Sequence, residues 1–124
     1  MIDHISIPVR DLAKSSEFYS AVLSQLGHEL LVSEEGTVGF GKKYPEFWLN
    51  ERLSHSSGSV ADGFHICLRA SSVEQVKEFH RQALSNGGTS YGEPGIRKQY
   101  SNNYYAAFIQ DFDGNRIEAV TFVG

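Results

Sequence analysis

The stretch "HISIPVRDLAKSSEFYSAVLSQLG", residues 4–27, decides the fold once it is laid over "HICLRASSVEQVKEFHRQALSNGG", residues 65–88. The overlay needs no gap. Seven of the 24 pairs are identical: His4/His65, Ile5/Ile66, Glu17/Glu78, Phe18/Phe79, Leu23/Leu84, Ser24/Ser85 and Gly27/Gly88. Unrelated stretches of average composition would share roughly one or two. The chain is therefore read as a tandem duplication.

Each copy opens on an apolar, β-branched alternation, at 4–9 and 64–70, which predicts a strand. Asp11, and Ser71 or Ser72, are placed to cap the helices that follow. Leu12, Phe18, Val22 and Leu26 recur at helical spacing in the first copy, and Val73, Val76, Phe79 and Leu84 in the second. Gly27 and Gly88 stop the helices. Three short strands complete each copy, near 28–33, 37–41 and 46–52, then near 89–93, 104–110 and 116–122. Between them "SHSSGSVAD", residues 54–62, is small and polar and reads as a linker. The order is β-α-β-β-β twice. Module one spans 1–53 and module two 63–124, within a single domain over 1–124. The expected class is α+β, a curved eight-stranded mixed sheet forming a cup, with the helices outside.

Composition narrows the function. A formal net charge of −4 without a basic run gives no electrostatic support for nucleic-acid binding. No apolar stretch reaches membrane-spanning length, so no membrane partner is expected. The opening "MIDHISIPVRD" has no signal-peptide layout, and Cys67 is the single cysteine. A cytoplasmic protein handling a small molecule is the expectation.

"DFDGNRIEAV", residues 111–120, poses the chemical question. Asp113-Gly114 is a turn signal, and Ile117, Ala119, Val120 and Phe122 read as a packed strand. Glu118 lies in the middle of it. A carboxylate among apolar residues is costly unless it is paired, hydrogen-bonded or bound to a metal. The repeat places His4 and His65 at equivalent points on the two first strands. Two imidazoles and one carboxylate converging in a cup suit a divalent cation. A salt bridge from Glu118 to Arg69 or Arg116 is the competing account.

"MIDHISIPVRDLAKSSEFYSAVLSQLG", "FHICLRA" and "DFDGNRIEAV" together resemble the vicinal oxygen chelate superfamily, over nearly the whole chain. Its members include glyoxalase I, the thiol transferases acting on fosfomycin, extradiol dioxygenases and bleomycin resistance proteins. The resemblance implies His4, His65 and Glu118 as metal ligands, with one divalent ion (Ni, Zn, Mn or Fe), and Glu118 as a catalytic base. Glyoxalase I carries a fourth ligand on its fourth strand. Here Trp48 falls in that slot, with Glu46 near the strand start and Glu51 on the other face, so three protein ligands remain. An aromatic there looks more like the fosfomycin enzymes, but the Arg that follows their Glu ligand has no match.

The expected substrate wall draws on two groups. Residues 93–105, "EPGIRKQYSNNYY", read as a long donor-rich lid carrying Arg97, Lys98, Tyr100 and Asn103. Ser6 and Cys67, two residues beyond each His, and Trp48 share the ligand face. Tyr104 and Tyr105 point to opposite faces; the turn favours Tyr104, but a one-residue shift would select Tyr105. His28, His55 and His80 have no positional support as ligands.

The expected function is a small metal-dependent glyoxalase-like enzyme, a lyase, isomerase or thiol transferase whose ion acts as Lewis acid on a small oxygen-bearing substrate. The alternative is a non-catalytic small-molecule binder of the bleomycin-resistance kind. A homodimer is expected from the strand edges each module leaves open. In a swapped pairing His4 would come from one subunit and His65 with Glu118 from the other.

Overall fold

The computed structural model describes residues 1–54, 61 and 63–124; His55 and most of the expected linker lie outside the described residues. Module one comprises β1 (Ile5–Val9), α1 (Leu12–Ser24), β2 (Glu29–Glu34), β3 (Thr37–Gly41) and β4 (Phe47–Glu51). Module two comprises β5 (Ile66–Arg69), α2 (Val73–Ser85), β6 (Thr89–Ile96), β7 (Tyr104–Gln110) and β8 (Arg116–Phe122). The eight strands divide into two four-stranded mixed sheets, ordered β1-β4-β3-β2 and β5-β8-β7-β6. The pairs β1/β4 and β5/β8 are parallel and the others antiparallel. This is the doubled βαβββ of an α+β fold.

The helices start where their caps are. The Asp11 side chain accepts the backbone N–H of Lys14, and Ser72, not Ser71, accepts that of Gln75. Each bond satisfies a helix donor that would otherwise be left open. Glu51, turned to the helix side, accepts the Leu12 N–H. Phe18, Tyr19, Val22, Leu23 and Leu26 form the buried stripe of the first helical segment. In α2 the stripe is Val76, Phe79, His80 and Ala83, and Leu84 stands 42% exposed, against expectation. The 76-79-80-83 row follows the 3.6-residue period, which turns the next residue outward. Positive φ falls at Gly27 and Gly87, so the second stop is one residue earlier than expected. Gly88 instead donates its N–H to Ala83 O, closing the turn.

Gly88 has a second reason to be small. A Cβ there would lie 2.7 Å from the Phe18 ring. Phe18 reaches across from α1 and meets Phe112 edge-on, with ring centroids 5.1 Å apart. Below it, the Tyr19 hydroxyl donates to Asp111 Oδ2 at 2.6 Å. Asp111 Oδ1 accepts the backbone N–H groups of Asp113 and Asn115. Asn115 donates to the Pro8 carbonyl at 3.0 Å, and the Arg10 N–H and Nε both reach Asp113 Oδ1 at 3.1 Å. Burial pushes the Asp111 carboxyl up, and these donors oppose that shift. The turn before β8 is thereby gripped by module one, which fixes how the two sheets stand beside each other.

The lid differs from expectation. β6 continues to Ile96, pairing Gly95 with Ala106 and Ile96 with Tyr105, and its register shifts on both sides of Gly92. Pro94 is tolerated because β6 is an edge strand at such an irregularity. The connection to β7 is therefore residues 97–103 rather than 93–105.

Candidate metal and substrate site

The ladders settle which positions correspond. Cys67 lies opposite Glu118 in β5/β8, and Ser6 lies opposite Trp48 in β1/β4. Glu118 faces Phe108 on β7, and Trp48 faces Gly39 on β3. Trp48 thus holds in module one the place that Glu118 holds in module two. Its indole lies over Gly39, where a Cβ would come within 3.0 Å of the ring.

Along β8, Ile117 and Ala119 enter the core beneath the helices, so Glu118 points to the opposite face. It is nevertheless 1% exposed. Its two oxygens have separate partners. The Tyr104 hydroxyl donates to Oε2 at 2.5 Å, and His65 Nε2 stands 2.9 Å from Oε1. Neither Arg69 nor Arg116 pairs with it: Arg69 lies over the Phe122 ring at 4.8 Å and Arg116 over Tyr91 at 4.4 Å. Burial raises the Tyr104 hydroxyl well above its ordinary range, and the bond to Glu118 adds to the shift. Cys67 sits between them, its thiol pushed up to about 12 by burial and by Glu118.

The other expected residues divide. Tyr104, not Tyr105, shares the Glu118 face; Tyr105 packs against the core. The Ser6 hydroxyl bonds to the Asn50 side chain and is exposed. Arg97 folds back onto its own strand, donating to Glu93 O and Gly95 O, with its guanidinium 5.4 Å from the Phe108 ring. Tyr100 stacks edge-on against Tyr104, centroids 5.0 Å apart. Lys98 and Asn103 are exposed, and Asn103 accepts a bond from Ser101.

His4 stands apart from the His65–Glu118 pair. Its Nδ1 is 2.7 Å from Asp3 Oδ1 and the ring is exposed. Among the described residues no group of three or more His, Cys, Asp or Glu side chains is arranged to hold a metal ion. His4 and His65 do open onto one cleft of about 490 Å³ between the modules, shared with His28, Glu46 and Cys67. The pair itself fits a divalent ion. Two donors each bound at roughly 2.0–2.2 Å sit about 3 Å apart, close to the 2.9 Å between His65 Nε2 and Glu118 Oε1. One imidazole nitrogen and one carboxylate oxygen suit borderline divalent ions, and Tyr104 orients the carboxylate from behind.

Residues 1–119 match the family described as Glyoxalase/Bleomycin resistance protein/Dioxygenase superfamily. The chain belongs to this superfamily. A glyoxalase/bleomycin resistance protein from Albidiferax ferrireducens is 30% identical, with a TM-score of 0.84 over 95% of this chain and 96% of that one. A glyoxalase/bleomycin resistance protein/dioxygenase family enzyme from Burkholderia phytofirmans shares 18% identity and a TM-score of 0.74, over 98% of both chains. A mutant of the fosfomycin resistance protein FosX from Listeria monocytogenes, complexed with Mn(II) and 1S,2S-dihydroxypropylphosphonic acid, shares 18% identity. Its TM-score is 0.73, over 99% of this chain and 90% of that one. The last two share the fold. Comparison with curated proteins gives no match. Among the described residues no helix is long and apolar enough to cross a membrane.

Phe64 and Tyr91 were not anticipated from the sequence, whereas Phe108 was expected toward the cup beside Tyr104 and Arg116 was weighed as a partner for Glu118. They surround His65 on the side away from Cys67, in a pocket of about 260 Å³. Tyr91 and Arg116 lie on strands, where only register, not composition, tells which side chains meet.

Proposed function

We propose that the chain is a metal-dependent enzyme of this superfamily, acting as a homodimer, with His65, Glu118 and a His4 binding the ion. One observation carries the reading: a buried Glu118 carboxylate, fixed by Tyr104 on one oxygen, presents the other to His65 Nε2 at 2.9 Å. Ni²⁺, Zn²⁺, Mn²⁺ and Fe²⁺ suit these donors. When bound, the ion supplies Lewis-acid polarisation of oxygens on a small substrate.

The chain's own residues supply the rest. Trp48 leaves the equivalent place in module one without a ligand, which keeps coordination positions open for water or substrate. Glu118 is the buried base of the cup, able to take a proton from a carbon beside a polarised oxygen. Tyr104 keeps its proton and steadies Oε2. Metal content by mass spectrometry, on untagged protein purified without chelator, tests the reading. Near one equivalent per chain, lost in His65→Ala, is the expected result. No metal in either protein after incubation with Ni²⁺, Zn²⁺ or Mn²⁺ would overturn it.

A further inference from the structure

Two cavities meet along β5. The cleft of about 490 Å³ and a second cavity of about 330 Å³ share His28, Glu46, Cys67 and Leu68 as walls, so they run into one another. The channel lies between β1 and β5, each the end strand of its own sheet. At one end its walls are apolar. Ile5, Leu23, Phe47 and Ile66 line it, and Ile2 and Phe64 stand 78% and 53% exposed beside His4 and His65. Large apolar side chains left at the rim of a concavity mark a binding surface.

The other end is polar. Lys42, Arg69 and Ser71 line it together with His28 and Glu46. Among the described residues neither Lys42 nor Arg69 has an ion-pair partner or a hydrogen-bond acceptor. Arg69 lays its guanidinium over the Phe122 ring at 4.8 Å, a contact that uses the flat face and leaves the N–H edge open. Burial holds the His28 pKa below 6.5, so two positive charges face the one acid, Glu46, at pH 7. His28 Nδ1 is buried with no hydrogen-bond partner. Such an atom is costly unless something completes it. The duplication sharpens the contrast. The turn before β8 is bonded to module one through Asn115 and Asp113. The matching turn before β4, residues 42–46, makes no such bond to β5 among the described residues. One junction between the modules is closed and the other is open and charged.

We propose that this channel binds an elongated aliphatic acid, with its chain between β1 and β5 and its carboxylate on Lys42 and Arg69. The assignment rests on the metal-enzyme reading only in making this acid the substrate, whose far end lies beside His4 and His65.

Calorimetry with three probes tests it: octanoate, octan-1-ol, which has the chain without the charge, and acetate, which has the charge without the chain. Octanoate is expected to bind about tenfold or more tighter than either of the others, the discrimination that a charge-assisted bond or a buried chain supplies. Lys42→Gln combined with Arg69→Gln should bring octanoate down to the level of octan-1-ol. A carboxylate held by a metal ion instead would keep its preference in that double variant. Phe64→Ser, at the rim, should weaken octanoate and octan-1-ol together. All three positions are exposed, and thermal melts identify any variant that fails to fold. Octan-1-ol or acetate as tight as octanoate, no binding of octanoate, or a folded double variant that keeps the preference would each overturn the proposal. Metal content measured on the same wild-type sample separates the two readings: probe selectivity without metal sinks only the enzyme, and metal without selectivity sinks only this channel.

Discussion

Glu118 shows how one residue can be both a cost and a tool. Its burial is tolerable because Tyr104 and His65 each take an oxygen. Tyr104→Phe leaves Oε2 without its donor, and the expected loss is about 1–3 kcal/mol of folding stability, read by denaturant titration. Glu118→Gln removes the charge but keeps the shape, so metal content should fall to background while the thermal midpoint shifts little. His80 carries a different prediction. It is 6% exposed between α2 and β6, with Nε2 2.8 Å from Ser90 Oγ. Burial lowers its pKa below 6.5, and Glu93 opposes the shift. A histidine whose folded pKa is depressed stabilises the fold above its unfolded pKa. That stability drains as pH falls through about 6.5 toward the folded value, because the unfolded chain takes up the proton first. His28 shifts the same way through burial. Thermal midpoints should therefore drop between about pH 7.5 and pH 5.5, and His80→Gln should flatten the slope.

At the scale of elements, the helix stripes and the glycine stops explain what the sequence made legible. The gapless repeat displayed both modules, and the cap residues and strand order followed from local chemistry. The ends were harder. Gly27 and Gly88 align in the repeat, yet the turn after α2 closes one residue sooner, because Gly88 is needed against Phe18. Nothing within module two signals a partner that comes from module one. The length of β6 was hidden for a similar reason: Pro94 and Gly95 read as loop, but the long β7 pairs with Gly95 and Ile96 through shifted register. Two substitutions separate these roles. Gly88→Ala pushes a methyl into Phe18 and should cost about 1–3 kcal/mol, as overpacking does. Leu84→Ser, on the exposed side of α2, should stay within about 0.5 kcal/mol.

For the whole molecule, the sequence singled out His65 and Glu118, which the structure brings together, but not how His4 relates to them. His65 and Glu118 meet within one chain because β5 and β8 are neighbours. His4 directly precedes β1, the strand at one end of the other sheet, and no local pattern tells whether its cup is its own. Mixing two inactive variants decides it. If cups are shared between subunits, His4→Ala and His65→Ala proteins mixed in equal amounts should regain about a quarter of the metal of the parent after exchange, since about half of the dimers are mixed and one of the two cups in each mixed dimer is intact. If each chain builds its own cup, the mixture should stay empty.

The duplication that made the two modules alike in backbone left them unlike at one rung. Where one wall carries the acid of Glu118, the matching rung of the other carries the indole of Trp48. A substrate held between the two sees a proton acceptor on one side only. Its two faces cease to be equivalent even when the molecule itself is symmetric. If the proposed enzyme forms a chiral product, that product should emerge as a single mirror form, which chiral chromatography reads.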